Sequence, residues 1–220
     1  EVLSAVLSFP VLGERIGRPA RIGGEPLPAK PLLALQGIPV VAMVGSCMNC
    51  GKTAAACALV REFAHQGLRV DGLKATGVSL RRDILALEDA GARATAIFTD
   101  LGVVSTTAKN SAQATRMLLT KLAAQTVDPA QRADLIVLEL GDGLLGAYGV
   151  DAILGDPELR SAFTAVVLAA NDPVAAWGGI ELQRGDYGIG PAPVTDPAAG
   201  HAVGVRLIDD PMGVPAPNAR

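Results

Sequence analysis

Residues 40–53 constrain the fold of this chain more than any other stretch, because they combine an apolar run, a turn and the triplet Gly51-Lys52-Thr53. Val40–Val44 has the apolar, partly β-branched composition of a buried strand, and the alanine-rich sequence after Lys52 is typical of a helix. In a phosphate-binding loop, a strand leads into a glycine-containing turn, and Gly-Lys-Thr opens a helix. Inward N–H groups and the helix N-terminus then attract phosphate oxygens. The stretch therefore predicts a phosphate-binding loop.

The loop also predicts individual contacts with a nucleotide. Lys52 would reach the β- and γ-phosphates, and the Thr53 hydroxyl would bind Mg²⁺. In the pattern G-x-x-x-x-G-K-[ST] the first glycine falls at Ser46, whereas the available glycine is Gly45, one position earlier. An ordinary glycine-containing βα turn is the alternative. The predicted nucleotide-binding residues of the loop are Gly45, Ser46, Cys47, Met48, Asn49, Cys50, Gly51, Lys52 and Thr53.

Composition favours an α/β protein with a mostly parallel sheet flanked by helices. Apolar residues make up 50% of the 220 residues but aromatic residues only 3%, so the core depends on Ala, Val, Leu and Ile. The net charge is −3 and the basic residues are scattered, which argues against a nucleic-acid surface. No run reaches about 18 apolar residues, and no signal-like segment opens the sequence. We expect a soluble, cytoplasmic protein that binds neither nucleic acid nor a membrane.

The chain is predicted to have two parts. Residues 1–38, interrupted by many glycines and prolines, are interpreted as a β-rich N-terminal extension, and residues 39–220 as the nucleotide-binding domain. Further strands of that domain are predicted over Leu68–Leu73, Arg93–Phe98, Leu135–Glu139, Phe163–Ala170 and, as an edge strand with its turn, Pro191–Pro197. Helices are predicted over Lys52–Gln66, Ile84–Ala90, Asn110–Gln125 and Pro173–Gln183.

Two of these strands end in residues that could complete the site, since ligands of parallel sheets gather at strand carboxyl ends. Lys74-Ala75-Thr76-Gly77 follows the second strand, and Glu139 ends a fully apolar strand before Gly141-Asp142-Gly143. An acid in that position is typical of the carboxylate that holds Mg²⁺ or its water. The alternatives are a surface lysine and an acidic turn without metal. The predicted catalytic residues are Lys52, Lys74 and Glu139, the metal ligands Thr53 and Glu139, the substrate contacts Lys74, Thr76, Gly77, Arg81, Gly141 and Asp142, and the further nucleotide contacts Asn171, Asp172 and Thr195.

Cys47 and Cys50 form a C-x-x-C inside the phosphate loop. With Cys57 they make an odd number of cysteines, so a disulfide framework is not predicted. They are interpreted as reduced loop residues, and redox control is the alternative, since oxidation would deform a loop that must surround phosphate. A zinc site is not predicted, because the sequence has no second C-x-x-C and no nearby histidine pair.

On these residues, the sequence resembles the dethiobiotin synthetase-like P-loop proteins and, within them, a bacterial family of unknown function. The loop 45–53 is similar to the family's long, deviant phosphate loop, and residues 74–77 look like the segment that carries a substrate lysine. Residues 138–143 look like the Glu-Gly-x-Gly-Gly turn whose glutamate binds Mg²⁺. The resemblance implies a parallel sheet, ATP, Mg²⁺, an anionic small-molecule substrate and a homodimer. The chain departs from the pattern at Cys47, where an aspartate is usual, and at Leu140, where glycine is usual.

Together these features predict an ATP- and Mg²⁺-dependent enzyme that transfers the γ-phosphoryl group to a carboxylate or carbamate of a small metabolite. Two alternatives remain open. One is a nucleotide-dependent switch or assembly factor, akin to the metal-insertion GTPases and the molybdopterin adaptor, and the other is a nucleotide-binding module without turnover. Neither N-K-x-D nor T-K-x-D occurs in the chain, which argues against a guanine-specific pocket.

Overall fold

A computed structural model describes residues 27–126, 128–190, 193–195, 197–200 and 202–216, together with the strand residues 7–8 and 18–19. The strands are β1 (Leu7–Ser8), β2 (Arg18–Pro19), β3 (Val40–Gly45), β4 (Val70–Thr76), β5 (Ala94–Ile97), β6 (Leu135–Leu140), β7 (Phe163–Ala169) and β8 (Val194–Thr195). The helices are α1 (Lys52–His65), α2 (Arg81–Asp89), α3 (Ser111–Ala123), α4 (Val150–Gly155), α5 (Pro157–Ala162), α6 (Pro173–Gly185) and α7 (Ala202–Met212).

Strands β3 to β8 form one six-stranded sheet in which every described pairing is parallel. Their order across the sheet is β5-β4-β6-β3-β7-β8. Strand β6 therefore lies between the phosphate-loop strand β3 and strand β4, so its carboxyl end is next to both of theirs. The predicted mostly parallel sheet flanked by helices is confirmed.

Side chains of the central strands β3, β4 and β6 alternate between two apolar layers. Helices α1 and α2 cover one face, where Met43 packs with Val60 and Leu87, and the larger core on the other face includes Leu138 and Leu118. Strands buried on both faces explain the nearly continuous apolar runs of β3 and β6. The alternation also places Lys74 and Glu139 on the α1/α2 face.

The predicted β-rich extension falls mostly on residues outside the described ones. Strands β1 and β2 pair with each other antiparallel. The described segment 27–38 contains neither helix nor strand and contacts α3. There, the Thr120 hydroxyl accepts a hydrogen bond from Ala34 N at 3.0 Å and donates one to Leu32 O at 2.9 Å.

Two predicted boundaries near the site are wrong. Strand β4 begins two residues later than predicted and runs three residues further, so Lys74 and Thr76 are strand residues rather than residues of the following loop. Helix α2 begins at Arg81 instead of Ile84. Residues 81–83, which were predicted to lie in a polar loop, therefore form its first turn, where the carboxylate of Asp83 interacts favourably with the helix dipole.

The C-terminal region differs from the prediction as well. The edge strand predicted over residues 191–197 is described only as Val194–Thr195, because residues 191, 192 and 196 lie outside the described ones. Helix α7 is not among the helices predicted from the sequence. In the described part of the chain, no helix is both long and apolar enough to span a membrane.

Candidate functional site

The phosphate loop closes around the side chain of Lys52, which is 3% exposed. Its ammonium donates hydrogen bonds to Cys47 O at 2.7 Å and Met48 O at 3.4 Å, and its Nζ lies 3.5 Å from Cys50 Sγ. No carboxylate of the described residues forms an ion pair with Lys52. A buried ammonium with only neutral partners has a strong electrostatic preference for an added anion.

The side chains of the loop leave little room beside Gly45, one position before the usual glycine. A Cβ atom at this position would overlap Cys50 Sγ and lie 2.7 Å from Lys52 Nζ. Ser46 tolerates a side chain, and its N–H donates to Ala169 O of β7 at 2.9 Å. At the other end of the loop Gly51 precedes α1 with φ 92°, a left-handed conformation that glycine adopts without strain.

Thr53 and Glu139 meet beside the loop, as predicted for the two metal ligands. The Thr53 hydroxyl donates to Glu139 Oε1 at 2.9 Å. Glu139 is 3% exposed, and its Oε2 atom is buried without a hydrogen-bond partner among the described residues. Burial raises the pKa of Glu139, against the opposing effects of the Lys74 ammonium and the Thr53 hydrogen bond. The carboxylate is held in an environment that disfavours its charge.

An unpartnered carboxylate oxygen beside a threonine hydroxyl fits Mg²⁺, which takes hard oxygen ligands and leaves its other positions to water and phosphate. The described residues contain no group of three or more His, Cys, Asp or Glu side chains that could hold a metal by themselves. Thr53 and Glu139 are the residues that could hold Mg²⁺.

Lys74 is a buried site residue and not a surface lysine. It is 6% exposed and lies directly across from Glu139 in the pairing of β4 with β6. Its ammonium forms an ion pair with Asp83 in the first turn of α2. This partner was not predicted, because the predicted helix began at Ile84 and left Asp83 outside it.

Thr76, Gly77 and Gly141 lie close together, but polar groups of all three residues are already hydrogen-bonded within the protein. The Thr76 hydroxyl donates to Gly141 O at 2.9 Å, and Gly77 N donates to Thr106 Oγ1 at 2.9 Å. Leu144 N donates to Gly45 O at 2.8 Å, which ties the loop after β6 to the phosphate loop. The predicted substrate contact Thr76 therefore acts as a link between β4 and β6 in this structure.

The remaining predicted contacts are more scattered. Asn171 reaches the phosphate loop, where its Nδ2 lies 2.9 Å from Cys47 Sγ. The Asp172 carboxylate instead accepts from Ala175 N at 2.9 Å and caps helix α6.

Thr195 is buried at the carboxyl end of β8, beside β7. Asp142, in the loop after β6, has φ 76°. Arg81 is exposed and lines a separate cleft of about 280 Å³ between α2 and β5, so the structure does not bring it to the phosphate loop. A larger cleft of about 470 Å³ opens at the amino end of β7, whereas the loop lies at the carboxyl end of the neighbouring strand β3.

Comparisons with known proteins agree with this fold. No protein-family model matches the chain, and no curated protein sequence matches it significantly. Among solved structures, the signal recognition particle receptor FtsY from Elizabethkingia anophelis in complex with GDP matches with a TM-score of 0.59 and 18% identity, over 86% of this chain and 58% of that chain. The signal recognition particle 54 kDa protein from Aeropyrum pernix K1 in complex with GDP matches with a TM-score of 0.55 and 19% identity, over 88% and 43%.

FtsY from Thermotoga maritima matches with a TM-score of 0.55 and 16% identity, over 89% of this chain and 65% of that chain. This chain thus spans less than two thirds of each of the three structures. At such low identity the likeness shows the fold alone, a parallel sheet flanked by helices. The narrower prediction of a dethiobiotin synthetase-like protein is not shown by these matches and stays a prediction.

Proposed function

We propose that this protein binds a nucleoside triphosphate with Mg²⁺ at loop 45–53 and cleaves the bond to its γ-phosphoryl group. The observation that carries the proposal is the contact of Thr53 with Glu139, whose second carboxylate oxygen is buried without a partner. This pair lies beside a loop that encloses the unpaired ammonium of Lys52. A metal-binding half and a phosphate-binding half are the two parts that the reaction needs.

Each residue has a distinct task in this proposal. Lys52 exchanges its bonds to the loop carbonyls for bonds to phosphate oxygens, and the start of α1 adds N–H donors. Thr53 and Glu139 would hold Mg²⁺, which would supply positive charge against the phosphate oxygens. Lys74, which is paired with Glu139 on the neighbouring strand, stabilises the negative charge that develops during phosphoryl transfer.

The most favoured form of this activity is a nucleotide-dependent switch, in which hydrolysis changes how the protein holds a partner. The likeness to a signal recognition particle receptor and to the 54 kDa protein supports it over a synthetase. The second candidate is an ATP-dependent enzyme that phosphorylates a carboxylate or carbamate of a small anionic metabolite. It is supported by the buried Lys74 at the carboxyl end of β4.

The base of the nucleotide is proposed to be adenine, because neither N-K-x-D nor T-K-x-D occurs in the sequence. The structures of two neighbours hold GDP, which is a property of those proteins. Titration with fluorescent ATP and GTP analogues tests the two bases directly. Higher affinity for the GTP analogue would overturn this part of the proposal.

The central experiment compares nucleotide affinity in the parent protein and in Lys52→Ala, with Mg²⁺ present. We expect a loss of roughly ten- to a hundredfold, because the variant removes the main point charge on the phosphates. Lys121→Ala, an exposed lysine on α3, is the matched control and should bind like the parent. Unchanged affinity in Lys52→Ala would mean that the loop does not bind phosphate.

Phosphate release then separates the alternatives. Turnover that rises with a small anionic metabolite supports the metabolite kinase, and turnover that rises with a protein partner supports the switch. Tight Mg²⁺-dependent binding without phosphate release would leave a nucleotide-binding module.

A further inference from the structure

The ion pair between Lys74 and Asp83 is nearly removed from solvent, with side chains 8% and 12% exposed. It connects strand β4 to the first turn of helix α2. A buried ammonium without a counter-charge is strongly disfavoured, so the position of Lys74 depends on which carboxylates lie within its reach.

Two carboxyl groups lie near the Lys74 ammonium, and one of them contacts it. Glu139 lies across from it on β6, and Asp83 contacts it directly. Glu139 also accepts from Thr53 and carries the unpartnered oxygen that fits Mg²⁺. When Glu139 binds the metal, Asp83 is the carboxylate that remains in contact with Lys74. Arg82, the other basic residue near Asp83, is 83% exposed and lies 3.7 Å away, so it does not replace Lys74 as its partner.

We propose that Asp83 is a positioning residue for phosphoryl transfer, which fixes the Lys74 ammonium beside the γ-phosphoryl group while Glu139 serves the metal. This inference rests on the proposed function. It assigns Asp83 an effect that acts only through Lys74, and it separates the two acidic residues by role. Loss of Asp83 leaves the phosphate loop and Lys52 in place, so nucleotide affinity is preserved and turnover falls.

The experiment measures the binding of fluorescent ATP and GTP analogues and the Mg²⁺-dependent release of phosphate into water, with no added acceptor. For Asp83→Asn we expect nucleotide affinity within about threefold of the parent and a kcat lower by roughly tenfold or more, the scale of a misplaced catalytic group. Asp83→Glu keeps the charge and should recover part of the loss. Asp89→Asn changes the same charge at the exposed last residue of α2 and should behave like the parent.

A double-mutant cycle with Lys74→Ala tests whether Asp83 acts through Lys74. The double variant Lys74→Ala/Asp83→Asn should turn over no more slowly than Lys74→Ala alone. In Lys74→Ala the ammonium that Asp83 positions is already absent, so the second change has nothing further to disturb. A purely structural Asp83 would give losses that multiply. The double variant also leaves no unpaired ammonium, so it decides the point even where Asp83→Asn fails to fold.

The possible outcomes separate this inference from the proposed function. Full kcat in folded Asp83→Asn, or a double variant clearly slower than Lys74→Ala, would overturn the role of Asp83 and leave nucleotide hydrolysis standing. A parent protein that binds neither analogue, or binds without phosphate release, would overturn the proposed function and this inference with it.

Discussion

The change Glu139→Gln tests the proposed metal site, because it should raise the stability of the free protein and lower its response to Mg²⁺. It keeps the shape of the side chain and an oxygen that can accept from the Thr53 hydroxyl, but it removes the negative charge. Without ligands, that charge lies on a side chain only 3% exposed, with one oxygen unpartnered. We therefore expect the variant to be more stable than the parent when no nucleotide is present, and less responsive when Mg²⁺ and nucleotide are added.

The size of the first effect follows from the unpartnered oxygen. A buried polar group without a hydrogen-bond partner lowers the free energy of unfolding by about 1–3 kcal/mol, and by more when it is charged. The neutral amide in the variant Glu139→Gln has a smaller desolvation penalty at the same place. A net gain of about 1–2 kcal/mol corresponds to a melting temperature about 2–8 °C higher for a chain of this size.

The second effect is a loss of ligand-induced stability. A ligand at a hundred times its Kd stabilises the parent by about 2.7 kcal/mol. Glu139→Gln should still bind nucleotide through Lys52, but it should lose most of the additional stabilisation and turnover that depend on Mg²⁺, since a neutral amide is a poorer ligand for a hard cation. Scanning calorimetry with nucleotide, in Mg²⁺ and in chelator, measures both quantities on the same samples.

The stability difference should also depend on pH. Burial raises the pKa of Glu139 above its ordinary value of 4.5 in the folded protein. The parent is therefore penalised above the raised pKa, and the penalty disappears as the pH falls towards 4.5 and the carboxylate takes up its proton. The advantage of Glu139→Gln in the absence of ligand should be present at neutral pH and shrink on acidification.

A less stable variant at neutral pH would refute this reasoning and make Glu139 an ordinary counter-ion of Lys74. A normal Mg²⁺ response would assign the metal to another residue, with Asp83 and Asp142 the next to examine. Asp71→Asn is the control, because Asp71 is also buried but both its oxygens bind Arg93, at 2.9 and 2.7 Å. It should not gain stability, and its nucleotide response should be intact.

Two further predictions concern the loop and the edge of the sheet around it. If the redox alternative holds, mild oxidant reversibly abolishes nucleotide binding, and Cys47→Ser removes this sensitivity while keeping binding; a parent protein that ignores oxidant would end the redox hypothesis. Light scattering should give a dimer, twice 22.4 kDa, and Leu145→Lys, at an 82% exposed position, should weaken it; a monomeric parent would contradict the homodimer. The exposed apolar side chains that follow the carboxyl ends of the strands are Met48, Val78, Leu80, Val104, Leu145, Val174 and Trp177.

The parts of the fold that sequence predicted well are those with apolar strands and local signals. The predicted bounds of β4 were wrong because the strand contains polar residues that do not look like strand residues in the sequence. Asp71, Lys74 and Thr76 are all buried, and each is satisfied by a partner distant in sequence or on a different element. Hydropathy alone treats such residues as exposed, since the partners that make their burial tolerable are not visible in the local pattern.

The candidate site was predictable where contiguous residues build it, and less so where the sheet order does. The loop 45–53 follows from one strand, one turn and one helix. The contact of Thr53 with Glu139 joins residues 86 positions apart and requires β6 to lie next to β3. The rule that ligands gather at strand carboxyl ends placed both residues in one layer, but it does not give the order of the strands.

The charges of the site bear on the choice between water and an anionic acceptor. Before a ligand binds, the site holds two ammonium groups, of Lys52 and Lys74, and two carboxyl groups, of Glu139 and Asp83, so its formal charges balance. A bound triphosphate would add negative charge to this site, and the Lys74 ammonium that an anionic acceptor would need is already paired with Asp83. Arg81 and Arg82 are exposed. Water adds no charge, whereas a carboxylate would have to draw an arginine inward or displace Asp83 from Lys74. The pairing of Lys74 with Asp83 therefore favours hydrolysis, and with it the switch, over phosphorylation of a carboxylate.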